Sequence, residues 1–99
     1  MVINIFVIGF EWDPDKAARN LVDHRVSFEQ AAIACQDPFA IEWILENQDY
    51  GEERISLLGL YRREVLYVAY TERGDNIRII SARRAERHEQ DRYYRQNAS

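Results

Sequence analysis

The chain has 99 residues, 46% of them hydrophobic and 30% charged, with a net charge of −4. That is enough for one small core and ordinary for a globular protein. No apolar run approaches the ~20 residues a spanning helix needs, and a single cysteine, Cys35, excludes an intramolecular disulfide.

The charge is uneven. Residues 1–49 carry three basic against nine acidic residues, and residues 50–99 carry ten arginines against eight acids. Every basic residue of the second half is arginine, whose planar fork of donors matches phosphate or carboxylate. Charge alone leaves two readings open: a solvated mixed surface, or a grip on phosphate or an acidic partner.

Val2 to Phe10 (VINIFVIGF) is rich in β-branched residues and suits an N-terminal strand. It is too short to span a bilayer and lacks the basic leader and cleavage site of a signal peptide. A cytoplasmic location is expected, in keeping with the lone cysteine.

In WDPDKAARNLVDH, Asp13 caps a first helix and Pro14 occupies its first turn. Ala17, Ala18, Leu21 and Val22 form its apolar stripe, and His24-Arg25 end it. VSFEQAAIAC starts a second helix with a capping box from Ser27 to Gln30 and a staple from Val26 to Ala31. Phe28, Ala31, Ala32 and Cys35 are its expected buried face, and Asp37-Pro38 stops it.

Strands follow at Phe39–Leu45, Arg54–Leu60, Val65–Thr71 and Asn76–Ala82, the last three joined by the short turns YRRE and ERGD. Such turns predict antiparallel hairpins, with Gly74 free to take positive φ. The tail Arg83–Gln96 holds helix formers but few apolar residues. The expected architecture is α+β: two N-terminal helices on an antiparallel sheet of about four strands, and a C-terminal helix, in one domain spanning 1–99.

Six fragments then carry a resemblance. FEWDPDKAARNL (10–21), H-x-VSFEQA (24–31), DP (37–38), EER (52–54), YTERGDNIRIISARRA (70–85) and E-x-x-x-Y (89–93) stand in the order and register of the BrnT family of type II toxins. The resemblance implies a RelE-like fold and a metal-independent ribonuclease that inhibits translation, with no cofactor. It also implies a ribbon-helix-helix antitoxin of the BrnA type and contact with operator DNA through that antitoxin. Two positions depart. The family usually has glycine at Arg25, so a different turn or some strain is expected there. It usually has arginine at Gln90, which removes one phosphate contact.

Metal-free RNA cleavage needs a base for the 2′-hydroxyl, cations for the pentacoordinate phosphate and an acid for the leaving oxygen. The catalytic candidates are Arg83, Arg78, His24 and Glu53. Arg73, Arg54, Arg84, Lys16, Ser81 and Tyr93 are candidates for binding RNA or phosphate. Each has a structural alternative: a salt bridge for the arginines and for Glu53, a helix cap for Ser81, packing for Tyr93.

Regular alternation puts Arg78 on one face with Asn76, Ile80 and Ala82, opposite Ile77, Ile79 and Ser81. Arg83 and Arg84 are expected at the start of the last helix, where N–H groups attract phosphate. Trp12 is expected in the core, and Glu11 is expected to pair with Lys16. His24 and His88 have no ligand partners that would make a metal site. The other readings are a catalytically degenerate module acting only as a protein partner or co-repressor, and a nucleic-acid binder without cleavage.

Overall fold

The computed structural model describes residues 9–45 and 53–98. Of the expected N-terminal strand, Val2–Ile8 lies outside the described residues; Phe10–Glu11 forms β1. Then come α1 (Pro14–His24), α2 (Phe28–Cys35), β2 (Ile41–Ile44), β3 (Ile55–Tyr61), β4 (Glu64–Arg73), β5 (Asn76–Arg84) and α3 (Arg87–Gln96).

The local signals are realised as chemistry. The Asp13 carboxylate accepts the Asp15 N–H at 2.9 Å. Ser27 and Gln30 exchange both bonds of the capping box, and Val26 and Ala31 are both buried. Gly74 turns the β4–β5 hairpin at φ 61°. Arg25, where a glycine would be unstrained, holds the left-handed conformation at φ 59°, ψ 28°, and its N–H closes α1 on the Leu21 carbonyl.

The sheet has five strands in the order β1-β5-β4-β3-β2. The expectation of about four antiparallel strands needs correcting, because β1 joins β5 in parallel. Its partner lies at the far end of the chain, which no local turn announces. α1 and α2 cover one face over Leu57, Leu66, Val68 and Ile79. α3 lies on the other face, where Tyr93 packs with Leu58, Val65 and Ala85.

α1 departs from its expected stripe. Leu21 and Val22 are 49% and 75% exposed, and the buried residue is Asn20. Its Nδ2 donates to the carbonyls of Val26 and Ala82 at 2.9 and 2.8 Å, and its Oδ1 accepts the Ala82 N–H. A side-chain amide thus locks the helix to β5 where periodicity predicted aliphatic packing. α2 approaches β3 so closely that a Cβ on Gly59 would sit 2.2 Å from the Ala34 carbonyl oxygen.

Arg83 and Arg84 also move from their expected place. They end β5, and α3 begins at Arg87 after the cap residue Glu86. Ser81 is mid-strand and caps nothing. Among the described residues no helix is long and apolar enough to cross a membrane.

Candidate functional site

The pairing of β4 with β5 decides which side chains meet. Tyr67 faces Arg83, Ala69 faces Ser81, Tyr70 faces Ile79 and Thr71 faces Arg78. Ala69 and Tyr70 are consecutive while Ser81 and Ile79 are not, so Ile80 is an extra residue, a β-bulge. Regular alternation fails there. Ile79 and Ala82 both enter the core under the helices, which leaves Arg78, Ser81 and Arg83 on the α3 face. Ser81 therefore joins Arg78, and Ala82 does not, reversing the expectation at those two positions.

At one end of this face the Arg83 guanidinium lies 4.3 Å from the centre of the Tyr67 ring. Its two terminal nitrogens grip the Glu89 carboxylate at 2.8 and 3.0 Å, and one also donates to the Arg84 carbonyl at 3.3 Å. Arginine has five N–H donors; these bonds use three. The Tyr67 hydroxyl is 2.7 Å from Ser56 Oγ, which fixes the ring. The bond to Glu89 raises the Arg83 pKa and, reciprocally, holds the Glu89 carboxyl below its usual range. Glu89 also accepts the Glu86 N–H at 2.8 Å, so one carboxylate closes the start of α3 and orients Arg83.

At the other end Arg78 donates to Glu11 at 3.0 Å, as does Asn76. These bonds, Asn76 first, lower the Glu11 pKa. The expected Glu11–Lys16 pair is not what forms. Thr71, opposite Arg78, donates to the Glu53 carbonyl at 2.8 Å, which brings the exposed Glu53 to this end. Arg54 is half-buried just before β3. Arg73 ends β4 opposite Asn76. From Tyr67 to Arg73 is six residues, about 20 Å of strand. Arg73, Arg78 and Arg83 are therefore spread along one face and do not converge on one point.

Other candidates fall elsewhere. His24 and Lys16 line a hollow with Arg19, Asn20, Asp23 and Ile80 on the α1 side, across the sheet from Arg83. Arg84 pairs with Glu64 through Nε at 3.1 Å at the sheet's end. Tyr93 is 2% exposed and its hydroxyl donates to Asp37, so its ring packs and stacks on no base. Trp12, expected in the core, is partly buried and packs edge-on against the core residue Phe28 at 5.9 Å. Burial and then the Glu42 carboxylate push the Cys35 thiol up to about 12, too high for a nucleophile at neutral pH. Among the described residues no group of three or more His, Cys, Asp or Glu could hold a metal ion.

Sequence reasoning missed Asp37. β2 pairs with β3 only as far as Ile41–Leu58, so the Leu60 N–H points past the end of β2. Asp37 Oδ2 accepts that N–H at 2.9 Å together with the Tyr93 hydroxyl, and Oδ1 accepts the Phe39 N–H. The DP pair announced a helix stop; that its carboxylate ties α2, β3 and α3 together had no local signal.

A family model described as the ribonuclease toxin BrnT of type II toxin–antitoxin systems matches residues 12–89. Among curated proteins, none matches the sequence significantly. The matched span runs from Trp12 to Glu89, and so includes every strand from β2 to β5 and both residues of the Arg83–Glu89 pair.

Proposed function

The chain belongs to the BrnT family of ribonuclease toxins of type II toxin–antitoxin systems, and we propose that it cleaves single-stranded RNA on the α3 face of its sheet, without a metal ion. The observation that carries this reading is the bulge at Ile80, which sets Arg78, Ser81 and Arg83 on one face. Spread over about 15 Å of strand, these residues suit a run of phosphates along an RNA strand.

In the proposed reaction the 2′-oxygen attacks the adjacent phosphorus and the bond to the 5′-oxygen breaks. A 2′,3′-cyclic phosphate and a 5′-hydroxyl result. Water takes the proton that leaves the 2′-hydroxyl, and water returns one to the departing 5′-oxygen. Arg83 supplies charge to the pentacoordinate phosphate through the donors that Glu89 and the Arg84 carbonyl do not use. It is oriented beforehand by Glu89 and by the Tyr67 ring, so little reorganisation accompanies the charge shift. Glu89, held below the usual carboxylate range, is a weak base, and its part is to position Arg83. Arg78 holds a neighbouring phosphate, and Glu53 joins Glu11 among the acids at that end. His24 and Lys16, across the sheet, stand outside this reaction.

The protein partner is an antitoxin; we propose the ribbon-helix-helix BrnA type, with operator contact made through it and a cytoplasmic site of action. The second reading, a toxin fold that only binds its partner, is favoured by one observation: Arg78, Arg83 and Arg84 each already hold a carboxylate.

Cleavage of a single-stranded RNA, with and without EDTA, separates the two. The catalytic reading expects products in EDTA and a loss of roughly 10²–10³-fold in Arg83→Ala, with Arg83→Lys partly active. Wild-type protein that binds the antitoxin and leaves RNA intact supports the second reading. Arg83→Ala cleaving at the wild-type rate overturns the assignment of the site.

A further inference from the structure

A cavity of about 260 Å³ opens where the β3–β4 hairpin, the end of β5 and α3 meet. Val65 and Ala85 form its floor, Arg63 and Arg84 its walls, and Gln90 and Tyr94 its α3 side; Glu64, which also lines it, is the acid paired with Arg84. It is smaller than the ~300–1,000 Å³ pockets that take drug-sized ligands, and suits a single base with its phosphate.

Tyr94, Gln90 and Arg84 are held in advance. Tyr94 is half-exposed, and its ring is braced edge-on against Tyr93 at 5.1 Å and 87°. Tyr93 is itself tied to Asp37. Gln90 donates its amide nitrogen to the Ala85 carbonyl at 3.1 Å, which leaves its carbonyl oxygen as an acceptor. The hairpin tip that carries Arg63 also carries Arg62 at φ 58°, a left-handed conformation that a non-glycine residue holds at a cost. The backbone cost falls on Arg62, whose guanidinium lies 5.3 Å from the centre of the Tyr61 ring; Arg63 beside it lines the cavity.

We infer that this notch is a nucleotide subsite, in which Tyr94 stacks one base of a single-stranded RNA, Gln90 accepts a hydrogen bond from its edge, and Arg63 and Arg84 hold its phosphate. Arg84 directly follows Arg83 but stands opposite Leu66 and leaves β5 on the other face, so the RNA strand turns over the end of β5 to enter the notch. The inference rests on the RNA-cleaving reading and adds to it a place where sequence preference arises.

The test is binding of a fluorescein-labelled, single-stranded 2′-O-methyl oligoribonucleotide, which cannot be cleaved, followed by anisotropy over a range of salt concentrations. Tyr94→Ala is expected to weaken binding roughly tenfold, as loss of a stacking ring does, with the salt slope unchanged. Tyr94→Phe is expected to bind like wild type. Arg63→Ala is expected to lower the slope of log K against log salt by about 0.7, the share of one single-strand phosphate contact. If Tyr94→Ala and Arg63→Ala bind as wild type while Arg83→Ala binds weakly, the notch is overturned and the sheet-face reading stands. If Tyr94→Phe loses as much as Tyr94→Ala, stacking is overturned. Wild-type protein with no affinity for the oligonucleotide overturns both the notch and the RNA reading.

Discussion

Replacing Asp37 should loosen three elements at once. In Asp37→Ala the Leu60 N–H and the Tyr93 hydroxyl both lose their acceptor. Each partly or fully buried donor left unpaired costs about 1–3 kcal/mol. The Phe39 N–H belongs to a residue 61% exposed and can turn to water. The expected loss is therefore about 3 kcal/mol, a large part of the ~5–15 kcal/mol that stabilises a small domain. Asp37→Asn keeps one oxygen for Leu60 and Tyr93 but presents an NH₂ to the Phe39 N–H, and should cost about 1 kcal/mol.

The pH dependence has two limbs. Burial acts to raise the Asp37 pKa, but the Tyr93 hydroxyl and the two N–H groups outweigh it and hold the carboxyl below its usual range. Its contribution is thus complete above the unfolded value of about 3.9 and is lost as pH falls through the folded one. The Tyr93 hydroxyl is shifted upward, first by burial and then by Asp37. Its contribution is complete below the unfolded value of about 10 and is lost as pH rises through the folded one. Urea denaturation followed by tryptophan fluorescence, from acid to alkaline pH, measures both limbs. A double-mutant cycle of Asp37→Ala with Tyr93→Phe should give a coupling of about 1–2 kcal/mol. Asp37→Ala within ~0.5 kcal/mol of wild type, or strict additivity in the cycle, refutes the argument.

Three other outcomes follow from the same geometry. Asn20→Ala strips the partners from buried Ala82 and Val26 groups and should cost about 2–4 kcal/mol in denaturant; a loss under ~0.5 kcal/mol counts against the amide lock. Gly59→Ala drives a methyl against the Ala34 carbonyl and should cost about 3 kcal/mol, seen as a lowered melting temperature by circular dichroism. Arg25→Gly relieves the left-handed φ at the end of α1 and should stabilise by about 0.5–1 kcal/mol after the added unfolded-state entropy; a destabilised variant means the Arg25 side chain makes a contact that outweighs the strain.

Local chemistry was legible in the chain. Asp13-Pro14 and Ser27-x-x-Gln30 start helices wherever they lie, and Gly74-Asp75 turns a hairpin, because each satisfies its own backbone within a few residues. The ordered fragments from Trp12 to Glu89 likewise identified the family. The arginines of β5 were legible as residues but not as a site. Their face depends on the bulge at Ile80, and a bulge is a mismatch between two strands that neither strand shows alone. Asn20 and Asp37 read as a helix residue and a helix stop, yet their partners lie 62 and 56 positions away. α3 was legible as a helix, but its bidentate hold on Arg83 through Glu89 was not. Caps, hairpins and kinship thus follow from residues close together along the chain. Which charges share a face, and which carboxylates hold them, is set by strand register and helix docking, where no near neighbour takes part.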